Sequence, residues 1–261
     1  MAMEVVIETR RTKESELISI KGFVSLAELV QIFGVSESTV RRDLEVLEEQ
    51  GAIRRTYGGA VFVKDTASTK LAFAERETTA LAEKQAIARA IAGLIPVNQT
   101  VLLNGGTTCR EVARMLNGRR LSVVTNSVPI ASLLSADLVT EVTLVGGYVY
   151  PRTGVALGPT AVQQLGSLNA TQLIMSCAGL CEDGAFNANQ MMVEVEQKMM
   201  EIAGEVILAA DHTKLGMRSV AKLCDLAEVD VIVTDAGVPN EDRAWLDTRA
   251  KRVIYAEPEE S

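Results

Sequence analysis

Hydrophobic positions between residues 25 and 50 recur with the spacing of two short helices. The first set falls at i, i+3, i+4 and i+7 on one helical face: Leu26, Leu29, Val30 and Phe33. Gly34 follows this set, and a residue without Cβ ends a helix because it turns left-handed at no steric cost. The second set repeats the helical spacing: Val40, Leu44 and Leu47. The pattern predicts two helices joined by a tight turn.

Polar positions at the start of the second helix carry candidate chemistry. Ser36 is a natural N-cap, and Glu37 is an anion favoured in the first helical turn. With the apolar face turned inward, the outward positions hold hydroxyl and guanidinium groups: Ser38, Thr39, Arg41 and Arg42. A helix-turn-helix inserts the N-terminal half of its second helix into the major groove, where such groups reach phosphates and base edges.

Two short β-type runs flank Tyr57-Gly58-Gly59 and predict a hairpin, or wing, that carries Arg54 and Arg55. A structural helix pair without DNA contacts is the alternative, but two outward arginine pairs favour DNA. Residues 11–20 are predicted as a preceding helix, so the winged helix-turn-helix spans 11–63. The expected DNA contacts are Ser25, Ser36, Ser38, Thr39, Arg41, Arg42, Arg54, Arg55 and Tyr57.

A different pattern begins near Ala80, where helical periods alternate with short aliphatic runs. Strands are predicted at 101–103, 121–125, 142–145, 173–176, 206–209, 231–234 and 252–255. Helices are predicted at 84–95, 109–116, 128–134, 191–203 and 240–247. Short apolar strands that alternate with helices indicate a mostly parallel sheet covered on both faces. Small polar residues at 64–74 predict a linker, which leaves 75–257 as an α/β domain.

Polar turns follow several of these strands, and ligands of open α/β sheets bind beyond the carboxyl ends of strands. In the turn that begins at Asn104, Gly105 and Gly106 let the backbone approach a ligand closely. Thr107 and Thr108 add hydroxyl donors, and the next helix directs N–H groups and a positive dipole at the same place. The turn therefore predicts a phosphate site. Other strand-end residues are expected to contribute to it: Asn126, Ser127, Gly146, Gly147, Arg152, Asp211 and Lys214.

Composition narrows the class of protein. The net charge of −8 argues against nucleic-acid binding over the whole surface, and we expect acids to occupy the backs of the N-terminal helices. We expect neither a membrane helix, which needs about 18 apolar residues, nor a secretory signal. One histidine and four cysteines without framework spacing argue against a zinc site. A cytoplasmic protein with reduced thiols and no cofactor is expected.

Residues 35–48 read Val-Ser-Glu-Ser-Thr-Val-Arg-Arg-Asp-Leu-Glu-Val-Leu-Glu, and an Arg-X-Tyr-Gly-Gly-Ala wing follows. This sequence closely resembles the DeoR family of bacterial sugar-metabolism regulators, and the resemblance extends from about residue 11 to 255. It implies a winged helix-turn-helix joined to an α/β domain similar in fold to ribose-5-phosphate isomerase. It also implies a repressor of a carbohydrate-catabolism operon. Such a repressor forms a homodimer or homotetramer, binds double-stranded operator DNA and responds to a phosphorylated sugar.

The resemblance also covers the strand-end turns of the α/β domain. Family turns are matched at 106–108, 125–127, 146–147 and 211–216, and a Glu-X-X-X-Lys segment is matched by Glu194 and Lys198. The resemblance therefore adds Lys198 to the expected effector contacts. Many members carry Asp where this chain has Asn104. The missing charge is expected to favour an anion or to change which sugar hydroxyl is recognised.

Two other functions are compatible with parts of the sequence. A sugar-phosphate isomerase would need a carboxylate base and a proton donor. The turn comparable to that of the related isomerases, 177–180, lacks the acids, and Glu182-Asp183 reads as an ordinary turn before Gly184. A thiol sensor would use Cys109, whose pKa a helix N-terminus would lower. Neither alternative is expected, so the chain is predicted not to be an enzyme.

Overall fold

The computed structural model describes residues 10–18, 23–49, 53–56, 58–62 and 76–258. The chain divides into two compact units, Met1–Thr69 and Lys70–Ser261. We call them the N-terminal unit and the C-terminal unit. The predicted linker, 64–74, lies outside the described residues.

The described part of the N-terminal unit combines helices with a small antiparallel sheet. The helices are α1 (10–18), α2 (Leu26–Phe33) and α3 (Glu37–Glu49). The strands are β1 (Phe23–Ser25), β2 (Ile53–Thr56) and β3 (Gly59–Phe62), in the order β1-β3-β2. Gly34 caps α2 with φ 64°, so the predicted left-handed helix end is confirmed. The predicted wing is confirmed as the antiparallel pair β2–β3, in which Thr56 faces Gly59.

The predicted inner faces of α2 and α3 form the core of this unit. Leu29, Val40 and Leu44 are fully or almost fully buried, and they pack with Ile18 of α1 and Ile53 of β2. The helical spacing therefore located the core correctly. Strand β1 was not predicted, because three residues are too few to show an alternating pattern.

The C-terminal unit is built on a parallel sheet of the order β15-β14-β12-β9-β4-β5-β6. Its strands are β4 (Thr100–Leu103), β5 (Ser122–Thr125), β6 (Glu141–Leu144), β9 (Ala170–Ser176), β12 (Ala203–Ala209), β14 (Val231–Asp235) and β15 (Val253–Ala256). The helices are α4 (a turn at 76–78), α5 (Leu81–Leu94), α6 (Thr107–Leu116), α7 (Val128–Leu134), α8 (Pro159–Leu165), α9 (Gln190–Glu201) and α10 (Asn240–Arg249). Each predicted strand is present, and so is each predicted helix: α7 has its predicted ends, and the ends of the others shift by up to three residues.

Antiparallel pieces at the rim of this sheet were not predicted. Strands β7 (Tyr148–Tyr150) and β8 (Val155–Leu157) form a hairpin, and β10 (Gly179–Cys181), β11 (Gly184–Asn187) and β13 (Ala221–Cys224) form a second small sheet. Their strands are three or four residues long, so their sequences carry little periodicity. Among the described residues, none of the helices has the length and apolar character to cross a membrane.

Candidate functional site

The start of α3 presents the hydroxyl and guanidinium groups that were predicted to contact DNA. Ser36 Oγ lies 2.9 Å from Ser38 Oγ and 2.8 Å from Thr39 Oγ1, and it accepts the Thr39 N–H at 3.3 Å. Arg41 and Arg42 are exposed on the following turn. By contrast, Ser25 caps α2, where its Oγ accepts the Glu28 N–H at 3.2 Å. Its hydroxyl therefore has a structural role at the start of α2.

Two of the predicted DNA-binding arginines already have acidic partners. Arg41 bonds Glu37 at 2.6 Å, one helical turn away. Arg55 of the wing bonds Glu45 at 2.6 Å and Glu48 at 2.8 Å. The expectation that acids occupy the backs of the helices therefore does not hold for Glu37, Glu45 and Glu48, which lie beside these arginines. These acids hold the arginines beside a groove of about 680 Å³ between α3 and the small sheet.

The hydrogen bonds that Arg55 donates to Glu48 and Glu45 raise the pKa of its guanidinium further above its already high usual value. Because both ion pairs are solvent-exposed, they contribute little to stability and can open when a phosphate approaches. Of the other predicted contacts, the Arg54 side chain and Tyr57 lie outside the described residues.

A cavity of about 390 Å³ opens in the C-terminal unit at the carboxyl ends of three adjacent strands. Strand β4 leads into Gly105 and Gly106, β9 into Cys177, and β12 into Asp211. Parallel strands end at the same edge of a sheet, which is why turns far apart in sequence meet here. The structure therefore brings the predicted Gly-Thr turn and the Asp211–Lys214 segment into one cavity.

The Gly-Thr turn leaves the N-terminus of α6 open toward this cavity. Gly106 begins α6 with φ 114°, and within the described residues no side chain caps its first N–H groups. A Cβ on Gly105 would lie 2.0 Å from Val155 Cγ1, so the turn requires glycine there. Uncapped N–H groups and the helix dipole favour an anion. Thr107 and Thr108 line the same wall.

Cationic side chains surround the same space. Lys214 and Arg152 were predicted, and Arg76 and Lys84 join them in the lining. Desolvation, followed by the charge of Arg152, lowers the pKa of Arg76. The pKa of Lys84 is lowered, mainly by burial and also by the charges of Lys214 and Arg76, while the charge of Asp211 opposes this shift. Because like charges are held close together, an anion in the cavity would be stabilised by all of them.

Acidic and amide groups complete the lining. Asp211 is 1% exposed, and its Oδ1 accepts the Thr213 N–H at 3.1 Å. Glu196 of α9 is 2% exposed and accepts hydrogen bonds from the side-chain amides of Asn104, at 2.9 Å, and Asn187, at 2.7 Å. Burial raises the pKa of Glu196 to about 7, although both amides lower it. Asn104 therefore lies behind the cavity wall, where it bonds Glu196, and Glu196 itself lines the cavity.

Several predicted effector contacts do not line this cavity. Asn126 donates to the Ala156 carbonyl at 3.1 Å, and Ser127 caps α7 through the Ile130 N–H at 3.4 Å. This turn fixes the β7–β8 hairpin, whose loop carries Arg152 to the cavity. Gly146 and Gly147 pack against α8 and β8: the Gly146 N–H donates to Gln164, and a Cβ on Gly147 would meet the Leu157 carbonyl.

Lys198 also lies away from the cavity. It bonds Glu201 at 2.7 Å on the same helix and lines a separate groove beside Pro159 and Glu194. Its Nζ therefore faces away from the expected phosphate, because α9 turns Glu196 toward the cavity and Lys198 toward α8. The expected effector contact at Lys198 is not supported by this placement.

Sequence reasoning did not predict Arg76, Lys84, Asn187 and Glu196 as site residues. A signal was present for two of them. Lys84 stands at i−3 and i−7 from Ile87 and Ile91 on the buried face of α5. Glu196 likewise interrupts the apolar stripe of α9. A charged residue on a buried helical face is rarely unpaired, so it marks a polar network or a site.

The structure contradicts the thiol-sensor alternative. Cys109 is fully buried in α6, and burial raises its pKa to about 12. Desolvation therefore outweighs the helix N-terminus, and the thiol stays protonated at neutral pH. All four cysteines are free and buried, as expected of small apolar residues. Among the described residues, no cluster of side chains is suited to a metal ion.

Comparison with protein families assigns both units. The DeoR-like helix-turn-helix domain matches residues 10–66, and the DeoR C terminal sensor domain matches residues 79–236. Both are regulatory domains, so the prediction of a regulator rather than an enzyme is confirmed.

Curated relatives align over nearly the whole chain. The HTH-type transcriptional repressor CsqR of Escherichia coli is 35% identical over 84% of each chain. The glycerol-3-phosphate regulon repressor of Escherichia coli is 32% identical over 86% of this chain and 89% of its own. The uncharacterized HTH-type transcriptional regulator YulB of Bacillus subtilis is 31% identical over 95% of this chain and 96% of its own.

Among solved structures, ribose 5-phosphate isomerase A from Neisseria gonorrhoeae aligns with 52% of this chain and 53% of its own. Its sequence identity is 13% and its TM-score is 0.38, a similarity too remote to carry an argument about function. By contrast, the identity above 30% to curated relatives over most of the chain, together with both family matches, establishes the family. The chain belongs to the DeoR family of transcriptional regulators.

Proposed function

We propose that this chain is a transcriptional repressor that binds double-stranded operator DNA through α3 and the wing. A phosphorylated sugar bound in the cavity of the C-terminal unit modulates that binding. The regulated genes are a carbohydrate-catabolism operon, and a homodimer or homotetramer occupies paired half-sites. The relative named for the glycerol-3-phosphate regulon supports a phosphorylated ligand.

One observation carries the effector half of the proposal. The uncapped N-terminus of α6 and the cations Lys84, Arg152 and Lys214 surround one cavity at the carboxyl edge of the sheet. Dipole and charges all favour an anion, while Asp211 and Glu196 supply acceptors for hydroxyl groups. Phosphate and hydroxyls together are the chemistry of a sugar phosphate.

Operator binding is tested with the variant Arg42→Ala and the control Lys13→Ala. Both remove one positive charge, but Arg42 is exposed near the start of α3 whereas Lys13 is exposed on α1. In gel-shift titrations with the chain's own upstream DNA, Arg42→Ala should weaken specific binding by roughly 1–3 kcal/mol if it reads a base. If it meets a phosphate, the salt slope should fall by about 1. Equal operator binding by both variants would show that Arg42 of α3 does not contact the DNA.

Effector binding is tested with Lys214→Ala and the control Lys222→Ala, an exposed lysine paired with Asp225. A thermal-shift screen over phosphorylated sugars first identifies a ligand, which at 100 times its dissociation constant adds roughly 2.7 kcal/mol of stability. A charge-assisted hydrogen bond contributes roughly 1.5–3 kcal/mol, so Lys214→Ala should weaken the ligand about ten- to a hundredfold. Wild-type affinity in Lys214→Ala would place the ligand elsewhere.

A further inference from the structure

A buried carboxylate with only neutral partners forms part of the cavity wall. Glu196 lies on α9, is 2% exposed, and contributes to the lining of the cavity. Its hydrogen-bond partners in the described residues are the amides of Asn104 and Asn187, which are themselves 3% and 5% exposed. No ion pair with a described cation offsets the cost of burying this charge.

A structural role accounts poorly for this arrangement. A buried ionisable group without an opposite charge is costly, and an apolar side chain would fill the same position on α9 at lower cost. Val193 and Met199, three residues to either side, are both buried and apolar. Glu196 is therefore an acid on an otherwise apolar stripe, at the point where that stripe meets the cavity.

The hydrogen bonds of Glu196 leave acceptor capacity unused. A carboxylate accepts about four hydrogen bonds. Oε1 accepts from Asn104 and Asn187, whereas Oε2 accepts from Asn187 alone. The amide contacts fix the plane of the carboxylate and leave an acceptor position on Oε2. A hydroxyl group is a neutral donor that can fill this position without adding charge.

The remaining lining shows which ligand would present that hydroxyl. An isolated anion is served by the N-terminus of α6 and the surrounding cations, and a carboxylate in the same cavity would only repel it. Asp211, the other buried acid of the lining, accepts hydrogen bonds from Thr213, and its charge also acts on the ammonium group of Lys84. Glu196 is thus the acid of the lining whose described hydrogen-bond partners are all neutral amides, and it suits a ligand that carries hydroxyls beside its phosphate.

We infer that Glu196 is the specificity-determining residue of this cavity: it accepts a hydrogen bond from a hydroxyl of a phosphorylated polyol and so selects such ligands over phosphate alone. The inference rests on the proposed function, because it assumes that the phosphate binds at the N-terminus of α6. Asn104 and Asn187 are positioning residues, since they act by orienting the carboxylate.

The test compares Glu196→Gln with Glu201→Gln in the full-length chain. Both variants change an acid on α9, but Glu201 is exposed and bonds Lys198 outside the cavity. Dissociation constants are measured by calorimetry at pH 8, where Glu196 with a pKa of about 7 is ionised, for inorganic phosphate, glycerol 3-phosphate, ribose 5-phosphate and glucose 6-phosphate. The quantity of interest is the ratio of the phosphate constant to that of the tightest polyol phosphate.

The wild type and Glu201→Gln should prefer one polyol phosphate to inorganic phosphate by at least about tenfold, which corresponds to roughly 1.4 kcal/mol. Glu196→Gln should reduce that ratio about tenfold, because the charge-assisted hydrogen bond to the hydroxyl becomes a neutral one. Binding of inorganic phosphate should be unchanged or tighter. Glu196→Leu, which lacks an acceptor, should reduce the ratio at least as much. Thermal unfolding of each variant verifies that it is folded.

Deoxy analogues of the preferred polyol phosphate identify the hydroxyl. One analogue should bind the wild type about tenfold more weakly, yet bind Glu196→Gln almost as well as the parent ligand does. A ratio in folded Glu196→Gln equal to that of the wild type overturns the inference. Equal wild-type affinity for phosphate and all polyol phosphates overturns it too, but leaves the phosphate site standing. Failure of every probe, phosphate included, overturns the proposed effector function itself.

Discussion

Glu196 also makes the stability of the C-terminal unit depend on pH in a definite direction. Its pKa is about 7 in the folded chain, against an ordinary value of 4.5. Below pH 4.5 both states hold the proton. Between pH 4.5 and 7 the unfolded chain releases the proton while the folded chain keeps it, so the free energy of unfolding falls as pH rises.

The magnitude follows from the same two values. Each unit of pKa corresponds to about 1.4 kcal/mol, so complete titration would remove roughly 3 kcal/mol of stability. Between pH 5 and pH 8 the expected loss is roughly 2–3 kcal/mol, since part of it has already occurred at pH 5. This is a large fraction of the stability of an ordinary domain.

Urea unfolding at pH 5, 6, 7 and 8, in buffers without phosphate, measures this effect. Trp245 is the one tryptophan of the sequence and lies in α10, so its fluorescence reports on the C-terminal unit. In the wild type and in Glu201→Gln, the free energy of unfolding should fall between pH 5 and pH 8. In Glu196→Gln, the part of this fall that Glu196 causes should be absent. The reasoning fails if Glu196→Gln and the wild type show the same pH dependence, because the pKa of Glu196 would then be ordinary.

Three further substitutions test other parts of the structure. Gly59→Ala should disrupt the small sheet and abolish operator binding in a gel shift, because the added Cβ would lie 2.2 Å from the Val24 carbonyl oxygen. Gly58→Ala is the matched control, since its Cβ would meet nothing within 4 Å. Asp43→Ala should lower the stability of the N-terminal unit by roughly 1.5–3 kcal/mol, because this buried carboxylate accepts hydrogen bonds from Arg10 and Arg11. Thermal unfolding followed by circular dichroism measures the change, and an unchanged midpoint would contradict the prediction. Asp235→Asn should weaken effector binding but leave operator binding unchanged. Asp235 accepts hydrogen bonds from the N–H groups of His212 and Gly237 and so fixes the Asp211–Lys214 segment. Wild-type effector affinity in this variant would refute that positioning role.

The sequence predicted the N-terminal unit well because its information is local. The turn at Gly34 and the inner positions Val40 and Leu44 depend on residues a few places away. Partners of the arginines were harder to predict. Glu48 reaches Arg55 only after the wing folds back onto α3, a contact between residues seven apart that no helical or strand spacing predicts.

In the C-terminal unit, the strands of the parallel sheet were predictable, but which strands lie next to each other was not. Aliphatic runs marked β4, β9 and β12, but the sheet order that places β9 between β4 and β12 comes from the fold. That order explains why Asn126 does not line the cavity. It follows β5, whose carboxyl end lies on the outer side of β4, away from β9 and β12.

The two parts of the proposed effector site differ in how the sequence encodes them. The proposed anion site depends on the backbone of one turn, where Gly106 adopts a φ of 114° and α6 begins without a side-chain cap, so a short motif such as Gly-Gly-Thr-Thr predicts it. The proposed recognition of the rest of the ligand depends on Glu196, which is bonded by Asn104, 92 residues away, and by Asn187 on another strand. A motif can therefore predict a phosphate site, whereas the proposed choice of ligand depends on side chains that only the folded sheet brings together. Substitutions that change ligand choice without loss of phosphate binding should accordingly concentrate around Glu196 rather than in the turn.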